Sequence, residues 1–452
     1  MLPAKFVERV LRELGPDEGG ALCRALTGEP SVSVRLNAAK GLAAPSGRPI
    51  GWSSGGYWLD ARPSFTLDPD FHAGRYYVQE ASSQFVGHIV AACGGIRGGR
   101  VLDLCAAPGG KTTLYSTLAG RGGLVVANEI VRNRAAVLAD NVRKWGVGNV
   151  AVTVNDPSQV ARLEGWFDAV AVDAPCSGEG MFRKEAAATA QHNDGLVAHC
   201  AELGAEILEN AAALLAPGGV LVYSTCTFAP DEDEGQIANF LAKHPEFTLC
   251  DLSACGFGRP GEGNRAPDHP DFHAEYTRRI WPADGGEGHF MAKLQKAAAA
   301  EAPAPPKVKP PKALKAPAEW LDFAKTYFPA LASRPLAGAG EWLLLPAPGS
   351  EGLNTAKLRV VRGGVLVGSV LKKRFQPAHA LFMAYGTQCT NREELTLADP
   401  RTAAWLRGEE IDAATAQNGW CAVLVDGFPL GGGKVSGGRI KNHYPKGLRN
   451  LQ

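Results

Sequence analysis

The sequence of 452 residues lacks the features that mark a membrane protein or a disulfide scaffold. No apolar run approaches the roughly 18 residues that a membrane helix needs. The first residues read as an amphipathic helix with both charge signs, unlike a signal or transit peptide. Ten cysteines show no framework spacing and no C-x-x-C pair, which argues against disulfides and against zinc. We therefore expect a cytoplasmic protein with free thiols, no metal and no membrane association.

An excess of either charge is also missing, because the formal net charge is only +1. That balance predicts no global attraction to nucleic acid. What the chain does have is 54 glycines and 31 prolines. Six of the prolines fall within 296–318, together with nine alanines and five lysines. Such a stretch cannot form a packed core, so we interpret it as an interdomain linker; a basic strap that contacts RNA is the alternative.

The linker divides the chain into a first block, 1–295, and a C-terminal block, 319–452. Within the first block, 1–90 reads as a small N-terminal region with two short helices and a strand at 31–36. In the C-terminal block, 358–361 and 365–371 flank Arg362-Gly-Gly364 and predict a β-hairpin. Residues 420–425 form a second strand candidate, which predicts a compact α+β or β-barrel module.

Residues 91–295 alternate short apolar strands with amphipathic helices. Helical spacing of apolar residues runs through 131–145 and 196–214. This alternation predicts an α/β core, a mostly parallel sheet with helices on both faces, whose ligands bind at the carboxyl ends of the strands. The strand candidates are 100–104, 124–128, 150–154, 167–172 and 220–224.

A glycine-rich turn follows the first of these strands and opens a helix. Such turns let the backbone approach a ligand and present free N–H groups at the helix N-terminus. A phosphate-binding P-loop would need a glycine where Cys105 stands, although Gly110-Lys111-Thr112 matches its end. A nucleoside cofactor needs an acid at the end of the next strand to bind its ribose, and Glu129 stands there. The missing glycine and the acid favour the nucleoside cofactor over a P-loop nucleotide hydrolase.

Further chemistry-bearing residues follow later strands. Asp156 and Asp173 end two of them, although either residue could simply cap a helix or form a turn. Cys176 and Cys226 follow two strands of the same sheet, in Asp-Ala-Pro-Cys-Ser-Gly and Ser-Thr-Cys-Thr. We therefore expect both thiols at the rim that carries Glu129.

With these motifs in hand, the chain closely resembles the Sun-family (NSun-type) RNA cytosine-5 methyltransferases. The resemblance is carried by CAAPGGKT (105–112), DAPCSGEG (173–180) and YSTCT (223–227), with supporting segments SVRLN, YYVQEASS and EGHFMAKL. Beyond the linker, 367–381 and 437–449 look like the tail of the bacterial RsmF subgroup, which modifies 16S ribosomal RNA. The family implies a Rossmann-like class I methyltransferase core at 91–295, a small α+β, ferredoxin-like RNA-binding region at 1–90 and a PUA-like RNA-binding module at 319–452.

The resemblance also implies roles for individual residues. S-adenosylmethionine is expected against the loop, with Glu129 on the ribose, Asp156 near the adenine, Asp173 near the methionine part and Arg134 at a further cofactor position. Cys226 matches the nucleophile that adds to carbon 6 of cytosine, and Cys176 matches the cysteine that assists product release. The residues alone leave this order open, because a Pro-Cys pair carries the nucleophile in DNA cytosine-5 methyltransferases. The loop residues are Cys105, Ala106, Ala107, Pro108, Gly109, Gly110 and Lys111.

Other implications concern the target base and the RNA. Asp173 could also orient the base and assist proton transfer, and His289, where the family has an aromatic residue, is expected to affect packing only. Two clusters of basic and aromatic residues predict RNA contacts. In one, basic residues directly precede Phe375; in the other, basic residues near the end of the chain surround His443 and Tyr444. The expected partner is ribosomal RNA or the small subunit, bound by a monomer, with transfer RNA as the alternative substrate. The predicted RNA-binding residues are Lys372, Lys373, Arg374, Arg439, Lys441 and Lys446.

Overall fold

The computed structural model of the protein describes residues 1–92, 95–299, 314–372 and 374–449. Its strands form four sheets in these ranges, one in the N-terminal region, one large central sheet and two in the C-terminal block. Lys373 and residues 300–313 of the expected linker lie outside the described residues. Both ends of that expected linker belong to regular elements, since Lys296 is the last residue of a strand and Ala318 the first of a helix.

The N-terminal region packs a helical segment and a four-stranded antiparallel sheet against the core. The segment α1 is kinked at Gly15, which has φ 77° and precedes Pro16, so the two predicted short helices follow one another without a loop. The sheet order is β2-β3-β1-β4. The elements are α1 (Ala4–Ala25), β1 (Ser33–Leu36), β2 (Gly47–Pro49), β3 (Gly56–Leu59), α2 (Pro69–His72) and β4 (Tyr76–Val78).

The central region alternates strands and helices as predicted. Its elements are α3 (Ala81–Ala92), β5 (Arg100–Asp103), α4 (Gly110–Ala119), β6 (Leu124–Asn128), α5 (Arg132–Trp145), β7 (Val150–Thr153), α6 (Pro157–Val160), β8 (Phe167–Asp173), α7 (Ala186–Gln191), α8 (Asp194–Leu214), β9 (Leu215–Thr225), α9 (Glu234–Lys243), β10 (Phe247–Leu249), β11 (Arg259–Pro260), β12 (Arg278–Ile280) and β13 (His289–Lys296).

The central sheet runs β11-β12-β13-β9-β8-β5-β6-β7 and then continues into a strand of the C-terminal block. Strands β5 to β9 pair in parallel, while β10 to β13 are antiparallel. Apolar clusters cover both faces, because every residue of β6 and β7 is buried. The strand order reverses between β5 and β8, the switch point where α/β folds bind ligands. The loop after β5 therefore lies at the position where a cofactor is expected.

The C-terminal block contains a four-stranded antiparallel sheet, β14-β15-β17-β18, and a five-stranded mixed sheet, β19-β21-β22-β23-β20. The predicted strand 420–425 lies within β21. The elements are α10 (Ala318–Tyr327), β14 (Ala337–Ala339), β15 (Trp342–Pro346), β16 (Val360–Arg362), β17 (Gly364–Leu371), β18 (Arg374–Pro377), α11 (His379–Tyr385), β19 (Arg392–Leu395), α12 (Pro400–Arg407), β20 (Ile411–Asp412), β21 (Gly419–Val425), β22 (Phe428–Ser436) and β23 (Arg439–Asn442).

The predicted hairpin around Arg362-Gly-Gly364 is wrong. Instead of folding back onto β17, β16 pairs antiparallel with β7 at the edge of the central sheet. The backbone N–H of Val154 donates to the backbone carbonyl of Arg359, and the backbone N–H of Arg359 donates to Asn155 Oδ1. An open edge strand offers unpaired backbone groups, and β16 satisfies them. The C-terminal block thus extends the sheet that carries the site.

Among the described residues, no helix combines the length and apolarity that spanning a membrane would require.

Candidate active site

The glycine-rich loop between β5 and α4 follows the carboxyl end of a central strand. Gly109 has φ 108°, and a Cβ there would stand 2.9 Å from a methyl group of Leu138, so this position requires glycine. The carbonyl of Ala107 accepts a hydrogen bond from Arg134, and that of Pro108 accepts one from Asn141. The free N–H groups at the start of α4 follow directly, which makes this turn suited to a polar ligand.

Glu129 follows β6 and is only 3% exposed. Its Oε1 accepts a hydrogen bond from the N–H of Val131 at 2.9 Å, and its Oε2 lies 3.4 Å from the guanidinium of Arg134. Because Arg134 also binds the carbonyl of Ala107, it connects the loop to this acid. A carboxylate held in this way keeps lone pairs that can accept two ribose hydroxyls.

Asp156 follows β7, as predicted, and is exposed. Its Oδ1 accepts hydrogen bonds from the N–H and the hydroxyl of Ser158, so the side chain caps α6. The capping role that the sequence left open is therefore present, whatever else this carboxylate binds.

Asp173 ends β8 and gathers three polar partners. Lys111 Nζ lies 2.7 Å from its Oδ2, and the hydroxyl of Ser224 donates to its Oδ1 at 2.9 Å. Nε2 of His289 lies 3.8 Å from Oδ1. Burial opposes ionisation of Asp173, but the charge of Lys111 and the hydrogen bonds from Lys111 and Ser224 outweigh burial and hold the pKa of this carboxyl below its usual value. An anionic group thus stands beside the loop.

His289 is a buried residue next to Asp173. It is 2% exposed, and burial together with the neighbouring charge of Lys111 lowers its pKa to about 3, so the imidazole is neutral. Nε2 has no hydrogen-bond partner among the described residues. The expectation that this residue affects packing only stays a prediction, and the ring brings a polar atom close to Asp173.

Cys176 and Cys226 meet at the rim, as their positions after β8 and β9 predicted. Their sulfur atoms are 3.3 Å apart, and the backbone N–H of Cys226 donates to Sγ of Cys176 at 3.3 Å. The hydrogen bond with Cys226, together with burial, raises the pKa of the Cys176 thiol. Cys176 is thus held as a neutral thiol against the second sulfur.

Asp103 is a site residue that the sequence reasoning missed. It ends β5 directly before the loop, is 1% exposed, and accepts a hydrogen bond from the hydroxyl of Thr112 at 2.6 Å. Burial raises its pKa to about 7. The signal was available, since an acid at the carboxyl end of a strand had already pointed to Glu129 and Asp173.

The predicted RNA-binding residues fall on two different sheets. Lys372 and Arg374 are exposed at the turn between β17 and β18, whereas Arg439 and Lys441 are exposed on β23. Lys446 is exposed in the turn that follows β23.

The aromatic residues of these clusters are mostly buried. Phe375 packs against Trp320 and Phe323, and Tyr444 is 2% exposed with its hydroxyl 2.8 Å from His72. Their predicted availability for base stacking was wrong, because both rings fill apolar cores.

One basic-aromatic surface does form, on β21, β22 and β23. Lys434 stands opposite Trp420 on one side and opposite Lys441 on the other. The ring of His443 lies 4.7 Å from that of Trp420. We call Trp420, Lys434, Lys441 and His443 the β21–β23 patch. Trp420 was missed as a candidate, because strand periodicity identified it only as part of a core strand.

A cluster of three or more His, Cys, Asp or Glu side chains suited to a metal ion is absent from the described ranges.

Comparisons with known proteins agree with this geometry. Models of four families match successive parts of the chain: "N-terminal domain of 16S rRNA methyltransferase RsmF" at 2–81, "16S rRNA methyltransferase RsmB/F" at 96–295, "RsmF rRNA methyltransferase first C-terminal domain" at 322–385 and "Methyltransferase RsmF PUA domain" at 392–450.

Curated relatives and solved structures agree with those matches. Ribosomal RNA small subunit methyltransferase F of Aeromonas salmonicida is 31% identical over 88% of this chain and 84% of its own length, and that of Klebsiella pneumoniae is 31% identical over 92% and 90%. A crystal structure titled PH0851 has a TM-score of 0.58 at 29% identity, over 65% of this chain and 66% of that one. A methyltransferase homologue from Pyrococcus horikoshii has a TM-score of 0.56 at 26% identity, over 64% and 93%. The chain therefore belongs to the RsmB/F family of 16S rRNA methyltransferases, which confirms the predicted fold, RsmF-type architecture and activity of an S-adenosylmethionine-dependent RNA cytosine-5 methyltransferase.

Proposed function

We propose that this protein methylates carbon 5 of a cytosine in 16S ribosomal RNA through a covalent intermediate on Cys226. The observation that carries the proposal is the contact between Cys226 and Cys176 at the rim that also holds the Lys111–Asp173 pair. Two thiols and one ion pair at the carboxyl ends of adjacent strands can act on a single base placed between them. Such a base has to be flipped out of any stack to reach them.

The residues around the loop fit S-adenosylmethionine. Glu129 offers a buried carboxylate to the ribose, Arg134 fixes that carboxylate against the loop, and Asp173 can receive the positively charged methionine part. Asp156 stays a candidate for the adenine through the lone pairs that its cap leaves free. When bound, the cofactor supplies an electrophilic methyl group. The loop 105–111 would hold it at the start of α4.

The chain's own residues explain why carbon 5 can react. Cys226 as thiolate adds to carbon 6, which makes carbon 5 an enamine carbon whose electron pair would form the new bond to the methyl group, while the methyl–sulfur bond breaks and its electron pair stays on the cofactor's sulfur. The proton on carbon 5 then passes to a solvent water, its bonding electrons form the carbon 5–carbon 6 double bond, and the pair of the sulfur–carbon 6 bond returns to Cys226. Asp173 would accept a hydrogen bond from the amino group of the cytosine and orient the ring. Cys176 lies next to the sulfur of Cys226, which has to leave carbon 6 in this step.

The expected division of the chain gives each part a task. The core at 91–295 would carry the chemistry, while the N-terminal region at 1–90 and the block at 319–452, beyond the linker at 296–318, would hold the RNA. The family matches at 2–81, 322–385 and 392–450 support this division. The proposed partner is the decoding region of the small ribosomal subunit or its free 16S rRNA, bound by a monomer in the cytoplasm.

Covalent trapping tests the mechanism. RNA with 5-fluorocytosine at the target cannot lose the group on carbon 5, so the adduct persists and is seen as a slow band on a denaturing gel. We expect Cys226→Ala to abolish the band and Cys176→Ala to retain it. The reverse pattern would assign the nucleophile to Cys176, and absence of a band with the wild-type protein would contradict the covalent mechanism.

Bisulfite sequencing of ribosomal and transfer RNA from a deletion strain tests the substrate. We expect a 16S cytosine to lose its modification, while loss only in transfer RNA would establish the alternative.

A further inference from the structure

A buried hydrogen-bond network joins the residues that directly follow the two cysteines. The hydroxyls of Ser177 and Thr227 are 2.8 Å apart, and Ser177 forms two hydrogen bonds with Glu232. Its backbone N–H donates to Oε1 at 2.7 Å and its hydroxyl lies 2.6 Å from Oε2. None of these three residues is more than 4% exposed. We call them the Ser177–Thr227–Glu232 clamp.

The clamp connects three separate segments. Ser177 lies in the loop after β8, Thr227 in the loop after β9, and Glu232 in the turn that precedes α9. The hydroxyl of Tyr223, inside β9, donates to the backbone carbonyl of Glu232 at 2.7 Å and anchors that turn to the sheet. Glu232 thus stands on a fixed support and reaches both cysteine loops through hydroxyl groups.

The clamp keeps its hydrogen bonds in either protonation state of Glu232. Burial raises the pKa of Glu232 to about 8, against the two hydrogen bonds from Ser177, so both forms are populated near neutral pH. As a carboxylate, Glu232 accepts from Ser177, which in turn accepts from Thr227. As a carboxylic acid, it donates to Ser177, which then donates to Thr227.

The two cysteines depend on this support to different degrees. Cys226 directly follows Thr225, the last residue of β9, and is positioned by the sheet. Cys176 lies three residues beyond Asp173, the last residue of β8, on a loop whose next residue is the one that Glu232 holds. Loss of the clamp should therefore displace Cys176 from the nucleophile more than it displaces Cys226 from the sheet.

We infer that Glu232 is a positioning residue for product release, acting through Ser177 and Thr227 to hold Cys176 against Cys226. The inference rests on the proposed function, in which Cys226 forms the adduct and Cys176 assists its breakdown. In the proposed mechanism, Glu232 itself contacts neither the base nor the cofactor. Weakening the clamp should leave formation of the covalent adduct largely intact and should slow the breakdown of that adduct.

The test measures the covalent adduct with ordinary cytosine, using full-length protein, S-adenosylmethionine, and unmodified 16S rRNA transcript or purified small subunits. We expect Glu232→Ala and Thr227→Val to accumulate adduct about tenfold above wild type, because each removes at least one buried hydrogen bond of the clamp. Glu232→Gln and Thr227→Ser keep a group that can bind Ser177 and should stay near wild type. Asp231→Ala, which changes the exposed acid next to Glu232, is the matched control.

The outcomes separate the clamp from the underlying mechanism. Each variant is also trapped with 5-fluorocytosine RNA, where Glu232→Ala and Thr227→Val should form adduct as wild type does. Loss of trapping in both would mean general damage and overturn the inference, as would adduct levels with ordinary cytosine equal to those of wild type in both. If Glu232→Ala fails to fold, the Thr227→Val and Thr227→Ser pair decides. Failure of the wild-type protein to trap would remove the proposed function and the clamp with it.

Discussion

The ammonium group of Lys111 lies 2.7 Å from Oδ2 of Asp173, so the end of the glycine-rich loop is paired with the end of β8. This ion pair is why Asp173 keeps a pKa below its usual value although burial favours the neutral acid. A carboxyl with a lowered pKa loses its charge only when the pH falls through that lowered value. Asp173 should therefore be ionised throughout the neutral range.

Replacing Lys111 with methionine removes the cation and leaves burial unopposed, so the pKa of Asp173 should rise. We expect methyl transfer to fall by about two orders of magnitude near pH 7, as for loss of a group that positions and stabilises charge. The remaining rate should increase with pH as Asp173 ionises. The measurement is the single-turnover rate from about pH 5.5 to about pH 9. Lys243→Met, at an exposed position of α9, is the control, and a variant profile parallel to that of wild type would contradict the role of the pair.

Glu129 should contribute directly to cofactor affinity. Hydrogen bonds to a charged group are worth about 1.5–3 kcal/mol, so Glu129→Ala should weaken S-adenosylmethionine binding about 10- to 100-fold. Arg134→Ala should have a smaller effect, because its side chain is 58% exposed and acts on the cofactor through Glu129. Calorimetric titration gives both affinities. Unchanged affinity in Glu129→Ala would exclude the ribose contact, and binding of ATP in place of S-adenosylmethionine would support the P-loop alternative.

The central strands and the acids at their ends could be predicted from the sequence, because apolar periodicity defines each strand and parallel strands end at one edge. The glycine-rich turn that contains Gly109 could be predicted as well, because it follows the first of these strands and opens a helix. Pairing partners could not be predicted in this way. The apolar residues of β16 fit a hairpin as well as an edge strand, and only the open edge of β7 decides between them.

Residues whose surroundings come from distant segments were also missed. The sequence shows His289 only as a departure from an aromatic position, and its proximity to Asp173 depends on the pairing of β13 with β9. Tyr444 reads as an aromatic residue among basic ones, yet its ring packs in an apolar core and its hydroxyl contacts His72, about 370 residues earlier. Glu232 is one acid in an acidic run, and only the structure distinguishes it from exposed Asp231.

The attachment of the C-terminal block to the core should depend on Arg362. Its guanidinium donates to the backbone carbonyl of Val147 at 2.9 Å, and burial lowers its pKa to about 10. Arg362→Ala leaves that carbonyl without its donor and should cost about 1–3 kcal/mol of unfolding free energy. The backbone amides of β7 should also exchange their hydrogens faster in Arg362→Ala than in wild type. Arg359→Ala is the control, because Arg359 contacts the core through its backbone. Equal losses in the two variants would show that the guanidinium has no specific part.

The β21–β23 patch offers a test of how the C-terminal block binds RNA. Lys441 is exposed and stands opposite Lys434, which itself stands opposite Trp420, so positive charge is concentrated beside that ring. Burial, together with these two cations, lowers the pKa of His443, whose ring also lies beside Trp420. Arg439 lies on the same strand as Lys441, but its guanidinium is 2.8 Å from Asp412, which offsets its charge.

We therefore expect Lys441→Ala to weaken RNA binding and to reduce the slope of log affinity against log salt by about 0.7, the contribution of one neutralised phosphate on a single strand. Trp420→Ala should lose about 1–3 kcal/mol of binding free energy with the slope unchanged, because stacking on a base displaces no counterion. Arg439→Ala should change either quantity least, since its charge is already compensated. Fluorescence anisotropy with fragments of 16S rRNA at several salt concentrations measures both quantities. An Arg439→Ala loss as large as that of Lys441→Ala, with Trp420→Ala silent, would mean that the RNA follows β23 alone and that the aromatic ring takes no part.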